Sequence, residues 1–249
     1  MSAKVVALVT GANKGIGFEV ARQLAQAEVH VLIGVRNPEK GAAAVAQLSE
    51  EGLIGESLPI DVTDLGSIAD AAVKIAADFG RLDILVNNAG TVASDDMPPS
   101  MTSLSRVRQD FEVNFFGALA VTQAMLPLMG NSAPGRIVNV SSRGGSLGVN
   151  SDPVTASQIS SRLGYAASKA AQNMFTILLN AELRGRNIKV NAVTPGLVKT
   201  DLFDRVNRVA ARPIRTPAEG AEIIVRYALF DRFDAVSGKF ASADGDVPW

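Results

Sequence analysis

Tyr165 and Lys169 stand four residues apart in Gly164-Tyr165-Ala166-Ala167-Ser168-Lys169-Ala170. On a helix that spacing puts both side chains on one face, where the Lys169 ammonium favours the Tyr165 phenolate and makes the hydroxyl a usable acid or base near neutral pH. A second chemical feature lies far upstream, in Thr10-Gly11-Ala12-Asn13-Lys14-Gly15-Ile16-Gly17. Gly11 permits a tight turn, while Gly15 and Gly17 remove side chains where the backbone must approach a pyrophosphate and a helix must approach a sheet. Glycines so spaced also serve a turn with no ligand. The apolar strand before this one and the helix after it favour the phosphates of a dinucleotide.

Further polar positions fall where such a ligand would extend. Arg36 ends the second apolar run, nineteen residues beyond Gly17, the distance at which a dinucleotide fold meets the adenosine ribose. An acidic residue there binds a 2′-hydroxyl; arginine, with Lys14 as a second cation, suits a 2′-phosphate through charge-assisted contacts. Asp61 is placed either to accept from an adenine amino group or to begin a helix, for which Asp64 is the better N-cap. Asn87-Asn88-Ala89-Gly90 closes another apolar run with small and amide residues, suited to a ribose or to tying strands together.

These groups need a scaffold. Short β-branched runs alternate with longer alanine-rich stretches, the pattern of a parallel sheet covered on both faces by helices, an α/β doubly wound Rossmann-like fold in a single domain spanning 1–249. The pattern predicts strands over 5–9, 29–35, 56–59, 82–87, 136–141, 189–194 and 239–241. Helices are predicted over 15–27, 38–51, 64–79, 103–129, 164–183 and 216–230. In such sheets ligands bind beyond the carboxyl ends of the strands where the winding reverses. The glycine turn, Asn87 to Gly90 and Ser141-Ser142 all fall at such ends.

Composition removes other chemistries. The chain has 249 residues, 24 Lys plus Arg against 25 Asp plus Glu, no cysteine and one histidine, His30. Disulfides, thiolate metal sites and cysteine nucleophiles are excluded, and a lone histidine makes no multi-histidine metal centre. A formal charge of −1 gives no broad attraction to nucleic acid or anionic membrane. The apolar run Val5 to Val9 is too short for a signal core or a membrane span, so a cytoplasmic protein is expected. No internal repeat is evident, and residues 93–100 read as a surface loop.

Taken in order, the glycine turn, Asn87-Asn88-Ala89-Gly90, Asn114, Ser142, Tyr165-x-x-x-Lys169 and Pro195-Gly196 resemble the short-chain dehydrogenase/reductase family over essentially the whole chain. Locally, residues 13–19 and 36–41 are similar to the NADPH-dependent carbonyl reductases and the menthone and salutaridine reductases. The resemblance implies a catalytic tetrad of Asn114, Ser142, Tyr165 and Lys169. Tyr165 would protonate a ketone or aldehyde oxygen, Ser142 would hydrogen-bond that oxygen, Lys169 would lower the Tyr165 pKa and grip the nicotinamide ribose, and Asn114 would hold a water. Ser141 competes with Ser142, but neighbours on a strand face opposite ways and family position selects Ser142.

The same resemblance assigns NADP(H), preferred over NAD(H), to Gly11, Asn13, Lys14, Gly15, Ile16 and Gly17 at the phosphates and to Arg36, Asp61 and Val62 at the adenosine. Asn88, Ala89 and Gly90 would approach a ribose, and Pro195, Gly196, Val198 and Thr200 would meet the nicotinamide end, with Tyr165 and Lys169. Twenty-two residues separate Ser142 from Tyr165, fewer than in the monomeric carbonyl reductases, so 144–161 is either a pocket wall or a flexible loop. Residues 197–215 would form a substrate lid whose Arg205, Arg208, Arg212 and Arg215 either meet an acidic substrate or face solvent. His30 is expected at the surface, Trp249 in packing. Without the large insertion, the two longest helices are expected to pair across two-fold axes in a homodimer or homotetramer. Two other readings stay open: reduction of a 3-oxoacyl thioester, and a non-catalytic dinucleotide sensor on the same fold.

Overall fold

The structure, a computed structural model, describes residues 4–92, 97–130, 134–156, 162–205, 213–229 and 236–249. In chain order the elements begin β1 (Val6–Thr10), α1 (Gly15–Gln26), β2 (His30–Val35), α2 (Pro38–Glu50), β3 (Gly55–Pro59), α3 (Leu65–Phe79) and β4 (Ile84–Asn87). They continue with α4 (Leu104–Phe111), a π-helical turn (Glu112–Gly117), α5 (Ala118–Met125), β5 (Gly135–Val140), α6 (Leu147–Ser151), α7 (Pro153–Ala156) and α8 (Leu163–Glu182). The last are β6 (Ile188–Thr194), α9 (Asp201–Arg205), α10 (Pro217–Ala228), β7 (Phe240–Ser242) and β8 (Gly245–Asp246).

The strands form one sheet in the order β3-β2-β1-β4-β5-β6-β7-β8. All neighbours run parallel except β7 and β8. Winding therefore reverses between β1 and β4, and the crevice beyond their carboxyl ends is where this architecture takes a ligand. Alternation along the strands builds the two faces: Ala7 and Val9 of β1 pack with Val20 and Leu24 of α1 and Ile224 of α10. Val6 and Leu8 pack on the other side with Ile75 of α3, Met125 of α5 and Leu179 of α8. The helix starts are specified locally, by Asn37 accepting from Lys40 N, by Asp64 accepting from Gly66 and Ser67 N, and by a capping box of Thr216 with Glu219.

The doubly wound α/β fold is as the sequence predicts, with corrections. An eighth strand, Gly245–Asp246, returns antiparallel on β7; two residues carry too little periodicity to be read from sequence. The helix expected over 103–129 is interrupted by the π turn. The extra residue per turn brings Asn114 inward, where its side chain bonds the backbone of Thr91. Although Leu104–Leu128 is long and apolar enough to cross a membrane, it carries the buried polar side chains of Asp110, Asn114 and Thr122. His30, expected at the surface, is partly covered there: its ring is half-buried, 4.9 Å from that of Phe79. Trp249 packs as expected, 5.5 Å from Phe240.

The stretch after Ser142 is ordered, not a plain loop, through residue 156. A 3-10 turn at Arg143–Gly145 leads to α6 and α7, and Ser146 caps α6 by accepting from Val149 N while donating to the Pro248 carbonyl. Gly148 N also donates to the Trp249 carbonyl at 2.8 Å. The carboxyl-terminal segment thus braces the turn that follows Ser142. Residues 93–96 and 157–161, parts of the two expected loops, lie outside the described residues.

Candidate active site

A cleft of about 1120 Å³ opens beyond the carboxyl ends of β1, β2, β4, β5 and β6. It is lined by the glycine turn, Arg36, Asp61, Val62, residues 88–92, Ser142, Tyr165, Lys169 and residues 194–203. Every cofactor position expected from the sequence, from Gly11 to Thr200, is in that wall. The glycine turn fits a pyrophosphate. Gly11 and Gly15 hold φ +65° and +58°, a region that only glycine adopts freely. A Cβ on Gly17 would stand 2.4 Å from Asn88 Nδ2 and 2.5 Å from the Gly11 carbonyl. Lys14, the N-cap of α1, makes no side-chain capping bond, and no acidic residue occupies the first turn. The amide hydrogens and positive dipole end of α1 therefore suit an anion.

Asn88 belongs to the cradle's construction. Its Nδ2 donates to the Thr10 carbonyl at 2.9 Å and to that of Gly11 at 3.3 Å, while Thr10 Oγ1 accepts from Asn88 N and Ala89 N at 3.0 Å each. Arg36 is exposed at the cleft rim. Asp61 does not cap a helix; Asp64 does. Asp61 Oδ1 accepts from Thr63 N at 2.9 Å and Thr63 Oγ1 at 2.7 Å. The Thr63 backbone bond first, and Arg36 to a smaller degree, hold its carboxyl below the usual range. Lys14 is paired with Asp201 at the start of α9, across the mouth of the cleft.

At the other end of the cleft the two serines separate cleanly. Ser141 Oγ is buried and donates to Asn173 Oδ1 at 2.6 Å. Ser142 is half-buried, lines the cleft and caps the following turn by accepting from Gly144 N at 3.1 Å. Lys169 is 3% exposed, with Nζ donating to the Val140 carbonyl at 2.7 Å and to Gln172 Oε1 at 3.0 Å. Burial pushes its pKa down to about 7. Tyr165, one turn earlier on α8, is half-buried in the same wall. Asn114 donates to the Thr91 carbonyl and to Ser168 Oγ, both at 3.0 Å, and accepts from Thr91 N at 2.8 Å. A Cβ on Gly90 would lie 3.4 Å from Asn114 Oδ1 and 3.9 Å from Lys169 Nζ, so β4, the π turn and α8 converge on one point.

A glycine turn suited to phosphates and the Ser142, Tyr165 and Lys169 side chains line one cleft, as in a dinucleotide-dependent oxidoreductase, and similarity decides the lineage: the family model described as short chain dehydrogenase matches residues 5–210. The chain belongs to the short-chain dehydrogenase family. A short-chain dehydrogenase of Penicillium roqueforti is 38% identical over 235 residues, covering 90% of this chain and 88% of that one. The (−)-isopiperitenone reductase of Mentha piperita is 32% identical, covering 90% and 91%. The NADPH-bound carbonyl reductase from chicken fatty liver superposes with a TM-score of 0.84 at 27% identity, covering 99% and 100%. A short-chain dehydrogenase is an oxidoreductase that interconverts CH–OH and C=O groups with NAD or NADP, which removes the sensor alternative.

Some of this dehydrogenase's site was not read from its sequence. Ser168, Gln172, Asn173 and Thr176 make a buried polar stripe on α8. Their spacing from Lys169, at one, three, four and seven residues, marks the helix face toward the sheet where apolar residues are normal. A polar residue at those positions was the available signal. Arg215 lines the cleft and clamps residues 195–199, with Nη1 donating to the Pro195 carbonyl at 3.3 Å, Nη2 to Asp244 at 3.1 Å, and backbone bonds to Leu197 and Lys199. Arg205 ends α9, and Arg208 and Arg212 lie outside the described residues.

Proposed function

We propose that this chain reduces a ketone or aldehyde with NADPH, reversibly, using Asn114, Ser142, Tyr165 and Lys169. The observation that carries the reading is the cleft itself, which the glycine turn before α1 and Ser142, Tyr165 and Lys169 line together. When bound, the nicotinamide supplies the hydride. Gly11, Asn13, Gly15, Ile16 and Gly17 would hold the pyrophosphate, and Pro195, Gly196, Val198 and Thr200 the carboxamide end.

Tyr165 gives its hydroxyl proton to the carbonyl oxygen, and Ser142 donates a hydrogen bond to the same oxygen, lowering the cost of the developing negative charge. In the opposite direction Tyr165 takes the alcohol proton. Lys169 holds the tyrosine ready for both, since a neighbouring ammonium favours the phenolate. Asn114 fixes Thr91 and Ser168 around that lysine. Because its side chain is engaged by protein groups, a water at this turn falls to the main chain.

NADP is favoured by Arg36 at the position of the ribose, and is supported by the NADPH named in the carbonyl reductase neighbour. Lys14 joins Arg36 on a 2′-phosphate by leaving Asp201. The exposed apolar residues Phe116, Met174 and Leu178 support a homodimer or homotetramer, which we propose is cytoplasmic. A panel of ketones and aldehydes, followed by loss of NADPH absorbance, tests the activity. Turnover of several members is expected; no turnover in either direction with either cofactor would contradict it.

A further inference from the structure

The interior partner of Lys169 is a residue that the tetrad does not include. Gln172 is 0% exposed, and its Oε1 accepts from Lys169 Nζ at 3.0 Å. The orientation of that amide is forced: an ammonium has only donors, so the amide must present its oxygen. Turned that way, Nε2 points into the interior and bonds nothing among the described residues. An apolar side chain of similar size would leave no such unsatisfied donor. The glutamine is thus at odds with its packing and suited only to the lysine.

An ammonium carries three hydrogens. The Val140 carbonyl and Gln172 Oε1 take one each, which leaves one for the cleft side, where Tyr165 lines the wall. We propose that Gln172 is a positioning residue that keeps Lys169 charged and aims its remaining hydrogen at the tyrosine and the cofactor ribose. The inference rests on the assignment of Lys169 to the reacting centre. A neutral acceptor serves here better than a carboxylate, which would compete with the tyrosine oxygen as the ammonium's counter-charge.

The charged and titratable groups at this end of the cleft are Tyr165 on α8, Arg162 at its N-cap and Arg143 on the turn after Ser142. Val140, Gly90 and Asn114 beside the ammonium are uncharged, while α4, packed on α8, presents the buried carboxylate of Asp110 beside Gly164. Burial alone accounts for the lowered pKa of Lys169. Removing an acceptor from the charged form must lower it further, and placing a carboxylate there must raise it.

The test is an NMR titration of the full chain labelled with 13C at lysine Cε, the Lys169 signal being the one absent from Lys169→Met. The midpoint is expected to fall by about one pH unit in Gln172→Met and to rise by about one in Gln172→Glu. NADPH affinity at neutral pH should weaken in Gln172→Met and recover in Gln172→Glu. Equal midpoints in the folded variants would overturn the proposal; if Gln172→Met fails to fold, an unmoved midpoint in Gln172→Glu overturns it alone. Turnover by Tyr165→Phe at the wild-type rate would sink the proposed reaction and leave the lysine titration to stand or fall separately.

Discussion

Asn88 and Thr10 are bonded twice, Asn88 N to Thr10 Oγ1 at 3.0 Å and Asn88 Nδ2 to the Thr10 carbonyl at 2.9 Å. The pair ties the end of β4 to the start of the glycine turn, across the line where the winding reverses. Asn88→Ala removes the bonds to two backbone carbonyls and is expected to weaken dinucleotide binding about tenfold, roughly the loss of one well-placed hydrogen bond. Titration calorimetry with NADPH checks this; unchanged affinity would mean that the cradle holds its shape without the asparagine.

The proposed cofactor choice turns on Arg36. Arg36→Asp removes a partner of a 2′-phosphate and adds a like charge, so preference is expected to move from NADPH toward NADH by about a hundredfold or more. Asp201→Ala frees Lys14 and is expected to tighten NADPH while leaving NADH nearly unchanged. Dissociation constants for both cofactors decide the matter, and equal wild-type affinities would refute the assignment before any variant is made.

Lys169 makes the cofactor-free protein pH-sensitive. Its folded pKa, lowered to about 7, lies below the ordinary lysine value near about 10.4. Between those values the unfolded chain binds the extra proton, so stability rises with pH by at most about 1.4 kcal/mol per unit. Below pH 7 the cost of the buried ammonium is fully present. Lys169→Met is therefore expected to be more stable than wild type at pH 6 and to lose that advantage toward pH 10. Denaturant titrations at both values test it, and a constant difference would contradict it.

Association should follow from α4, the π turn and α8. Phe116, Met174 and Leu178 are each about half exposed, and a symmetric pairing of this face would bury them. Sedimentation at micromolar concentration is expected to show a species of twice or four times 26.0 kDa. Met174→Glu with Leu178→Glu is expected to shift it to monomer. A wild-type monomer would refute the pairing.

The strands and helix positions were legible because hydrophobic period and caps are local: Asp64, read as an N-cap, does cap α3, whereas the caps at Asn37 and Thr216 emerge only from the structure. The cleft residues were legible because glycine spacing and the Tyr165-Lys169 interval are short-range. The π turn was not, since the bond that it makes possible, between Asn114 and Thr91, spans 23 residues. Arg215 looked like a solvent charge because Pro195 and Asp244, its partners, are distant in sequence. Gln172 was missed for a different reason: buried polar side chains are invisible until the face of the helix is known.

The central claim is that Tyr165 moves the proton, and the most direct measurement is Tyr165→Phe on a carbonyl substrate that the wild type reduces. The substitution keeps the ring and removes the hydroxyl. NADPH affinity is expected to stay near wild type while kcat falls by roughly 10²-fold or more, the usual scale for losing a general acid. Near wild-type turnover by Tyr165→Phe would contradict the account.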